Sequence, residues 1–458
     1  MDSRIQPSVD ILDASVLQDV ACGEIRITPE QALRLYHEMP LVELGRWADA
    51  RCRHLHGDHI RTYIVDRNIN YTNICTAKCT FCAFRRDGDE HDAYTLTYEE
   101  LLQKVQGIVD IGGTQILMQG GMNPELPLGW YIELLSLIRE KFPQVHIHAF
   151  SPPEVIEFVN FFNTEGDTLE DQVRWVLSRL QTAGLHSIPG GGGEIFAKAV
   201  REKIGLGKCD AEAWLTIMRV AHELGMNTSA TMMFGHIEGI ADRIHHMELV
   251  RSWQDSSIAD FGLHGGGRYN AFISWPFQPD NTPLGRVKEW VSGEESSEHF
   301  PGDVVAKLDG TGHKSEDSEF GRRLRLVGSS SYLATQAISR LFLDNIYSIG
   351  ASWVTMGPAI GQTALFYGAN DMGSVMMEEN VVSAAGTTWC LDEAKLCRLI
   401  REAGFTPAKR DNRYDILQIH DGDDAPDRVI TDWSQQNQER LLCHTEDDAS
   451  VTLTVGQA

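Results

Sequence analysis

The sequence predicts an α/β protein whose core is a parallel (β/α)8 barrel of the TIM type. Short β-prone, apolar runs alternate with amphipathic helical segments about eight times, which is typical of parallel strands joined by crossover helices. The chain has 458 residues, 42% of them hydrophobic, so it can bury a barrel with additions at its ends. A closed barrel is the economical arrangement, and a doubly wound open sheet is the alternative. The predicted strands are residues 62–65, 114–118, 145–150, 185–188, 228–234, 271–275, 347–353 and 374–377.

A helical cap is predicted over residues 1–60, before the barrel begins. Thr28 is followed at once by Pro29 and three residues later by Gln31, which is the pattern of a capping box with proline in the first turn. Apolar residues recur at helical spacing behind this start, and a second helix is predicted near residues 43–56.

The barrel itself is assigned to residues 61–410. Thr97 and Glu100 form a second capping box, and the helix behind it carries Leu101 and Val105 on one face. Further helices are predicted near residues 130–142 and 152–183. The loop that follows the first strand would then lie at the rim where barrel active sites form.

Two segments interrupt the alternation of strands and helices. Residues 285–330 are rich in glycine, serine and charge, so we expect an inserted surface loop. From residue 411 to the end, eleven acidic residues stand against three basic ones. This composition predicts an irregular, loosely ordered acidic tail over residues 411–458.

The overall charge excludes one broad class of function. A formal net charge of −25 argues against a sequence-independent nucleic-acid binder, which needs a basic surface, so we expect no nucleic-acid partner. No apolar run reaches the roughly 20 residues that span a bilayer, and the N-terminus lacks a signal-peptide pattern. Nine cysteines without a disulfide-like spacing favour the reducing cytoplasm.

Three cysteines within eight residues are the strongest chemical signal. Cys75, Cys79 and Cys82 can hold three corners of a cubane iron–sulfur cluster, whereas a cluster that only transfers electrons normally has four cysteines. The fourth iron would stay open to a substrate or cofactor, as the open position of a catalytic zinc does. The alternatives are a zinc site completed by a residue such as His91, and three unrelated buried thiols.

Other polar groups follow the predicted strands. His148, His236 and Glu238 lie at or just past strand ends, where barrel catalytic groups collect, although a lone histidine is more often structural. His236 is the better candidate for a proton acceptor, with Glu238 beside it. The run of residues 378–380 (Glu-Glu-Asn) contains either substrate contacts or helix caps.

The cysteine motif resembles the signature of radical S-adenosylmethionine (SAM) enzymes. Six further segments resemble one branch of that superfamily, which holds the enzymes of the menaquinone futalosine pathway and the deazaflavin synthase subunits. The resemblance extends over about residues 30–416 and implies the barrel fold. The matching segments are residues 68–73, 146–154, 231–236, 271–279, 343–345 and 368–373.

This resemblance implies two cofactors, a [4Fe-4S] cluster and SAM. Cys75, Cys79 and Cys82 would bind the cluster. Phe81 would lie against the adenine of SAM, and the pair Gly120 and Gly121 would let the backbone approach the methionine amino group, because glycine has no Cβ. The other residues assigned to the SAM site are Gln119, Ser151 and Glu194, the last at the end of a glycine-rich run.

Within the branch, residues 275–279 and 379–386 resemble the cyclic dehypoxanthine futalosine synthases. The implied substrate is dehypoxanthine futalosine, and the implied electron source is an external one-electron donor such as flavodoxin or ferredoxin. A deoxyadenosyl radical would take a hydrogen atom from the ribose-derived ring, the carbon radical would add to the benzoate ring, and loss of a proton and an electron would leave the spirocyclic product. A dry, closed barrel suits such chemistry because positioning is the protein's main contribution.

Several alternatives stay open at this point. An aminodeoxyfutalosine synthase or a deazaflavin synthase subunit would share most of these motifs. A closed-cluster electron-transfer protein and a degenerate scaffold are the non-enzyme alternatives. Trp389 stands where the family pattern leads us to expect histidine, which favours a modified substrate pocket or impaired activity.

Overall fold

A computed structural model describes residues 10–262, 265–286, 324 and 326–438. Most of the predicted insertion 285–330, and the predicted tail beyond residue 438, lie outside these residues. The strands form one eleven-stranded sheet in the described chain. They are β1 (Ile60–Ile64), β2 (Asp66–Ile69), β3 (Gln115–Met118), β4 (His146–Ala149), β5 (Ser187–Ile188), β6 (Asn227–Phe234), β7 (Tyr269–Pro276), β8 (Ser348–Gly350), β9 (Asp371–Ser374), β10 (Thr406–Arg410) and β11 (Ile416–Ile419).

Helices follow most of the strands and cover the outside of the sheet. The cap contributes α1 (Ala14–Cys22), α2 (Pro29–Glu38) and α3 (Leu41–His56). The remaining helices are α4 (Tyr98–Asp110), α5 (Leu128–Lys141), α6 (Pro152–Phe161), α7 (Leu169–Ala183), α8 (Lys198–Ile204), α9 (Ala211–Glu223), α10 (Ile240–Phe261), α11 (Ser329–Phe342), α12 (Trp353–Met356), α13 (Pro358–Ala364), α14 (Val381–Ala384), α15 (Glu393–Glu402) and α16 (Trp433–Gln438).

The predicted α/β barrel with parallel strands is confirmed. Strands β2 to β9 pair in chain order, all parallel. β1 and β2 are two halves of one extended run that breaks at Val65. The first half pairs with β9 and the second with β3, so the circuit of strand pairings returns to its start. The ends of parallel strands therefore meet at common rims, as in a TIM barrel.

Local sequence signals begin the helices where they were predicted. Thr28 caps α2 and Thr97 caps α4, each in a reciprocal capping box with the residue three positions on. α3 packs against α1 and α11, which attaches the cap to the barrel's outer layer. One continuous hydrophobic core runs from the cap through the barrel. No helix of the described chain is both long and apolar enough to cross a membrane.

The last barrel strand lies earlier in the chain than the sequence indicated. The prediction was residues 374–377, whereas β9 runs from Asp371 to Ser374. Aspartate is uncommon in buried strands, yet Asp371 is buried in β9. Arg410 neutralises its charge, with Nη2 2.9 Å from Oδ1. A charge pair that joins positions far apart in sequence has no local signal.

The predicted tail begins with the turn and the second strand of an ordered hairpin, whose first strand, β10, ends the predicted barrel. β10 pairs in parallel with β1, and β11 returns antiparallel to β10. In the turn between them, Asn412 hydrogen-bonds Gln115 at the start of β3 and contacts Ser187 at the start of β5. The turn thus lies across the amino-terminal end of the barrel strands, which leaves the opposite rim as the place for an active site.

Candidate active site

The cysteine loop leaves the carboxyl end of β2 and is held by backbone hydrogen bonds on both sides. The Cys75 amide donates to the Arg86 carbonyl at 3.1 Å, and the Thr76 amide donates to the Met122 carbonyl at 3.0 Å. On the other side, the Lys78 amide donates to the Leu206 carbonyl at 2.8 Å. The loop is therefore fixed against the segments that follow β3 and α8.

The three cysteines share one small apolar cluster. Cys79 is buried with Ala77 and Met122, and Cys75, Cys82 and Phe81 pack against them. Burial raises the pKa of the Cys75 thiol and raises that of Cys79 to about 12. Thiols of this kind become thiolates when a cationic metal centre compensates the charge, so the three donors fit an iron–sulfur cluster.

The zinc alternative has no support in the site geometry. The His91 side chain is 97% exposed and lies beside Asp92 rather than the cysteines. Among the described residues, no three His, Cys, Asp or Glu side chains converge as a site for a single metal ion. A cubane cluster is larger than an ion, so its three thiolates need not converge in that way.

Gly120 and Gly121 allow the cysteine loop to lie directly on the end of β3. A Cβ on Gly121 would stand 2.1 Å from the Ile74 carbonyl oxygen, and a Cβ on Gly120 would stand 2.4 Å from the Tyr71 ring. The Gly121 amide donates to the Thr72 carbonyl at 2.8 Å. Close packing within the protein therefore accounts for both glycines, and an approach of SAM to this backbone stays a prediction.

Glu154 joins the glycine pair to the end of β4. One carboxylate oxygen accepts from the Tyr71 hydroxyl at 2.6 Å and from the Gly120 amide at 3.0 Å. The other accepts from the Ser151 amide and hydroxyl at 2.7 and 2.6 Å. Burial raises the pKa of Glu154, and these hydrogen bonds oppose that shift. Ser151 and Glu154 form the capping box of α6, and the hydrogen bond from Gly120 to Glu154 adds a link between distant parts of the chain.

The glycine-rich loop (residues 190–193) lies close to Gln119 and Ser151. A Cβ on Gly191 would stand 2.4 Å from Gln119 Nε2 and 3.2 Å from Ser151 Cβ. The predicted SAM-site residues Gln119 and Ser151 are thus neighbours across two strand ends. Their contact with a cofactor stays a prediction.

Glu194, at the end of the glycine-rich loop, forms an ion pair beside the cysteines. Lys208 Nζ lies 2.9 Å from Glu194 Oε1 and 4.9 Å from the centre of the Phe81 ring. Burial alone would lower the pKa of Lys208, but the charges of Glu194 and Cys79 raise it. The structure thus brings Phe81, Glu194 and Cys79 together around a cation. Sequence reasoning missed Lys208, because no local pattern marks it.

His236 and Glu238 occupy the turn after β6, with both side chains bonded inside that turn. His236 Nδ1 accepts from the Ile237 amide at 2.8 Å, and Nε2 lies 3.1 Å from the Met233 carbonyl. Burial lowers the pKa of His236. Glu238 accepts from the Gly235 and His236 amides and from Arg243 Nε at 2.8 Å. Their catalytic roles stay predictions, and these contacts describe a rigid turn.

The remaining candidates form contacts with residues outside the cysteine loop. His148 bonds Ser187 Oγ at 2.6 Å, close to where the hairpin turn closes the barrel. Glu378 pairs with Arg67 and Lys104, and Glu379 accepts from Asn68 Nδ2 at 2.9 Å. Trp389 is half-exposed, and its indole lies against Gly357.

Comparison with known sequences assigns two parts of the chain to families. Residues 69–250 match the Radical SAM superfamily, and residues 315–422 match the CofH/MqnC C-terminal region. A cyclic dehypoxanthine futalosine synthase of Halalkalibacterium halodurans is 37% identical over 92% of this chain and 99% of its own. The Streptomyces coelicolor enzyme of that name is 36% identical over 95% and 97%. The aminodeoxyfutalosine synthase of Thermus thermophilus is 33% identical over 86% and 94%.

Solved structures agree with the fold. Methylornithine synthase matches with a TM-score of 0.56 at 18% identity, covering 86% of this chain and 97% of its own. A maturase of the [FeFe]-hydrogenase matches with a TM-score of 0.58 at 14% identity, covering 87% and 76%. The cofactors of the superfamily are a [4Fe-4S] cluster and SAM, as the resemblance of the cysteine motif implied. The chain belongs to the radical SAM superfamily, in the branch of the menaquinone futalosine-pathway enzymes.

Proposed function

We propose that this protein is a radical SAM cyclase that converts dehypoxanthine futalosine to its cyclic form in menaquinone biosynthesis. The main support is that two relatives named cyclic dehypoxanthine futalosine synthase match almost the whole chain at 36 and 37% identity. The proposal is supported by the neighbouring positions of the cysteine loop, the glycine pair and the ion pair beside Phe81.

Cys75, Cys79 and Cys82 would hold the cluster, and the loop that carries them is already fixed by backbone hydrogen bonds. When bound, the cluster and SAM together supply a 5′-deoxyadenosyl radical. Phe81, Gln119, Gly120, Gly121, Ser151 and Glu194 would bind SAM. Glu194 is a carboxylate held in place by Lys208, so it suits a hydrogen bond to a sugar hydroxyl.

The barrel interior would orient the substrate and exclude water. Thr231 and Trp275 are partly exposed on strands whose other faces are packed. The opposite end is closed by the hairpin turn at Asn412. A reactive carbon radical attacks the first C–H bond within reach, so this enclosure decides where the reaction occurs.

An external one-electron donor, such as flavodoxin or ferredoxin, is part of this proposal. Cys75 and Cys82 are partly exposed and Lys78 in the same loop is exposed, so the cluster site lies close to the protein surface. A cytoplasmic location is also proposed. Oxygen-sensitive clusters held by free thiolates require a reducing compartment.

The test is anaerobic reconstitution followed by product analysis. Reduced protein is incubated with SAM and dehypoxanthine futalosine, and mass spectrometry measures 5′-deoxyadenosine and the cyclic product. We expect both to form in equal amounts. Consumption of 5-amino-6-(D-ribitylamino)uracil with tyrosine instead, as the name of the Methanopyrus kandleri relative specifies, would overturn the proposed substrate.

A further inference from the structure

The barrel contains a buried hydrogen-bond acceptor that the described residues leave without a donor. Asn68 lies in β2 and is 5% exposed. Its Nδ2 donates to Glu379 Oε2 at 2.9 Å, while its Oδ1 is buried and has no partner in the described chain. An unpaired buried carbonyl is costly, so such an atom calls for a donor from elsewhere.

The direction of the Asn68 side chain follows from its neighbours. Successive residues of a strand point to opposite faces. Arg67 reaches outward, where Nη1 donates to the Lys104 carbonyl on α4 at 3.3 Å. Asn68 therefore points towards the barrel interior. Asn70 shares that face, and its amide bonds the Gln119 carbonyl and Asn380, so both of its polar atoms are paired.

Glu378 and Glu379 are adjacent in sequence and contrast sharply in their partners. Burial alone would raise the pKa of Glu378, but Arg67 and Lys104 outweigh it and hold the pKa low. Burial raises the pKa of Glu379, and no Arg or Lys pairs with it among the described residues. Its Oε1 accepts from the Val381 and Val382 amides at 2.9 Å each.

We propose that Asn68 Oδ1 and Glu379 Oε2 form an acceptor pair inside the barrel that binds a hydroxyl of the sugar-derived part of the substrate. The two atoms belong to side chains that are joined by a hydrogen bond, so both acceptors belong to one site. The identity of the ligand rests on the proposed function. Glu378, with Arg67 and Lys104, positions the segment that carries Glu379.

The proposal is tested by binding with the reconstituted protein in the absence of SAM. Calorimetry measures the dissociation constants of dehypoxanthine futalosine and of analogues that each lack one sugar hydroxyl. We expect loss of one particular hydroxyl to weaken binding to the wild-type protein about tenfold, the value of one charge-assisted hydrogen bond. In Asn68→Ala and in Glu379→Gln this penalty should become smaller, because each variant alters one of the two acceptors.

Glu378→Gln is the matched control. It loosens the same segment without touching the acceptor pair, so the hydroxyl penalty should persist even if the melting temperature falls. Cluster absorbance and melting temperature verify that Asn68→Ala and Glu379→Gln are folded. Penalties equal to those of the wild type in both variants would overturn the acceptor pair alone. A wild-type protein that binds none of these compounds would overturn the proposed function and the acceptor pair with it.

Discussion

Asp371 at one end of the barrel and Glu379 at the other are both buried carboxylates, and they differ in whether a cation pairs with them. At the amino-terminal end, Asp371 is matched by Arg410 and by the Thr62 hydroxyl, and Asp66 bonds Gln115 at 2.7 Å. At the catalytic rim, Asn68 Oδ1 lacks a donor and Glu379 lacks a cation among the described residues. A carboxylate matched by a cation suits the end that the hairpin closes, and unmatched acceptors suit the ligand binding that we propose at the other end.

The largest effect is expected from removing a cluster ligand at the rim. Cys79→Ser should abolish the cluster absorbance near 400 nm and the formation of 5′-deoxyadenosine, because two thiolates cannot hold the cubane. The free energy of unfolding of the metal-free protein should change little. Cys397→Ser, which changes a buried thiol outside the motif, is the control and should keep the cluster. A full iron content in Cys79→Ser would contradict the assignment.

Gly121→Ala should disrupt the rim nearly as strongly. The new Cβ would stand 2.1 Å from the Ile74 carbonyl oxygen, so the cysteine loop must shift. Iron content after reconstitution should fall several-fold. Gly129→Ala is the matched control, because nothing lies within 4 Å of its added Cβ, and its iron content should equal that of the wild type. Equal cluster occupancy in the two variants would show that the loop tolerates movement.

At the closed end, Arg410→Met tests stability rather than chemistry. Leaving Asp371 buried without its cation should lower the free energy of unfolding by about 3–5 kcal/mol. Denaturant titration measures this change. Arg34→Met, which breaks the partly exposed pair with Glu38, should cost less than about 1 kcal/mol. If Arg410→Met and Arg34→Met lower the free energy of unfolding by similar amounts, the buried pair at the amino-terminal end of the barrel is no more stabilising than a surface pair.

The smallest effect is expected at the turn after β6. Burial lowers the pKa of His236, which favours the neutral form of the ring. Both ring nitrogens already have partners, so His236→Gln should reduce product formation only a few-fold and leave the pH profile unchanged. A loss of about a hundredfold or more, with a shifted pH profile, would support the base predicted from the sequence.

Local signals in the sequence predicted much of the fold and the metal-binding loop. The capping boxes at Thr28 and Thr97 begin helices because their hydrogen bonds span three residues. The cysteine spacing likewise carries its chemistry within eight residues. These features depend on neighbours in the chain, which the sequence displays directly.

Contacts between distant parts of the chain could not be predicted in this way. Arg410 neutralises Asp371 and Lys208 neutralises Glu194, yet no pattern near either cation marks its partner. Residues 416–419, which were predicted to belong to an irregular tail, form β11 because they pair with the edge of β10 that β1 leaves open. His236 and Glu238 looked available from sequence, since hydrogen bonds within a tight turn become visible only in three dimensions.

The central claim is that three cysteines hold a [4Fe-4S] cluster whose fourth iron binds SAM. Electron–nuclear double resonance of the reduced protein, with SAM labelled by ¹⁵N in its amino group and ¹⁷O in its carboxylate, tests this directly. We expect hyperfine coupling of both labels to the cluster. A cluster spectrum that SAM leaves unchanged, or a purified protein that holds zinc at these cysteines, would contradict it.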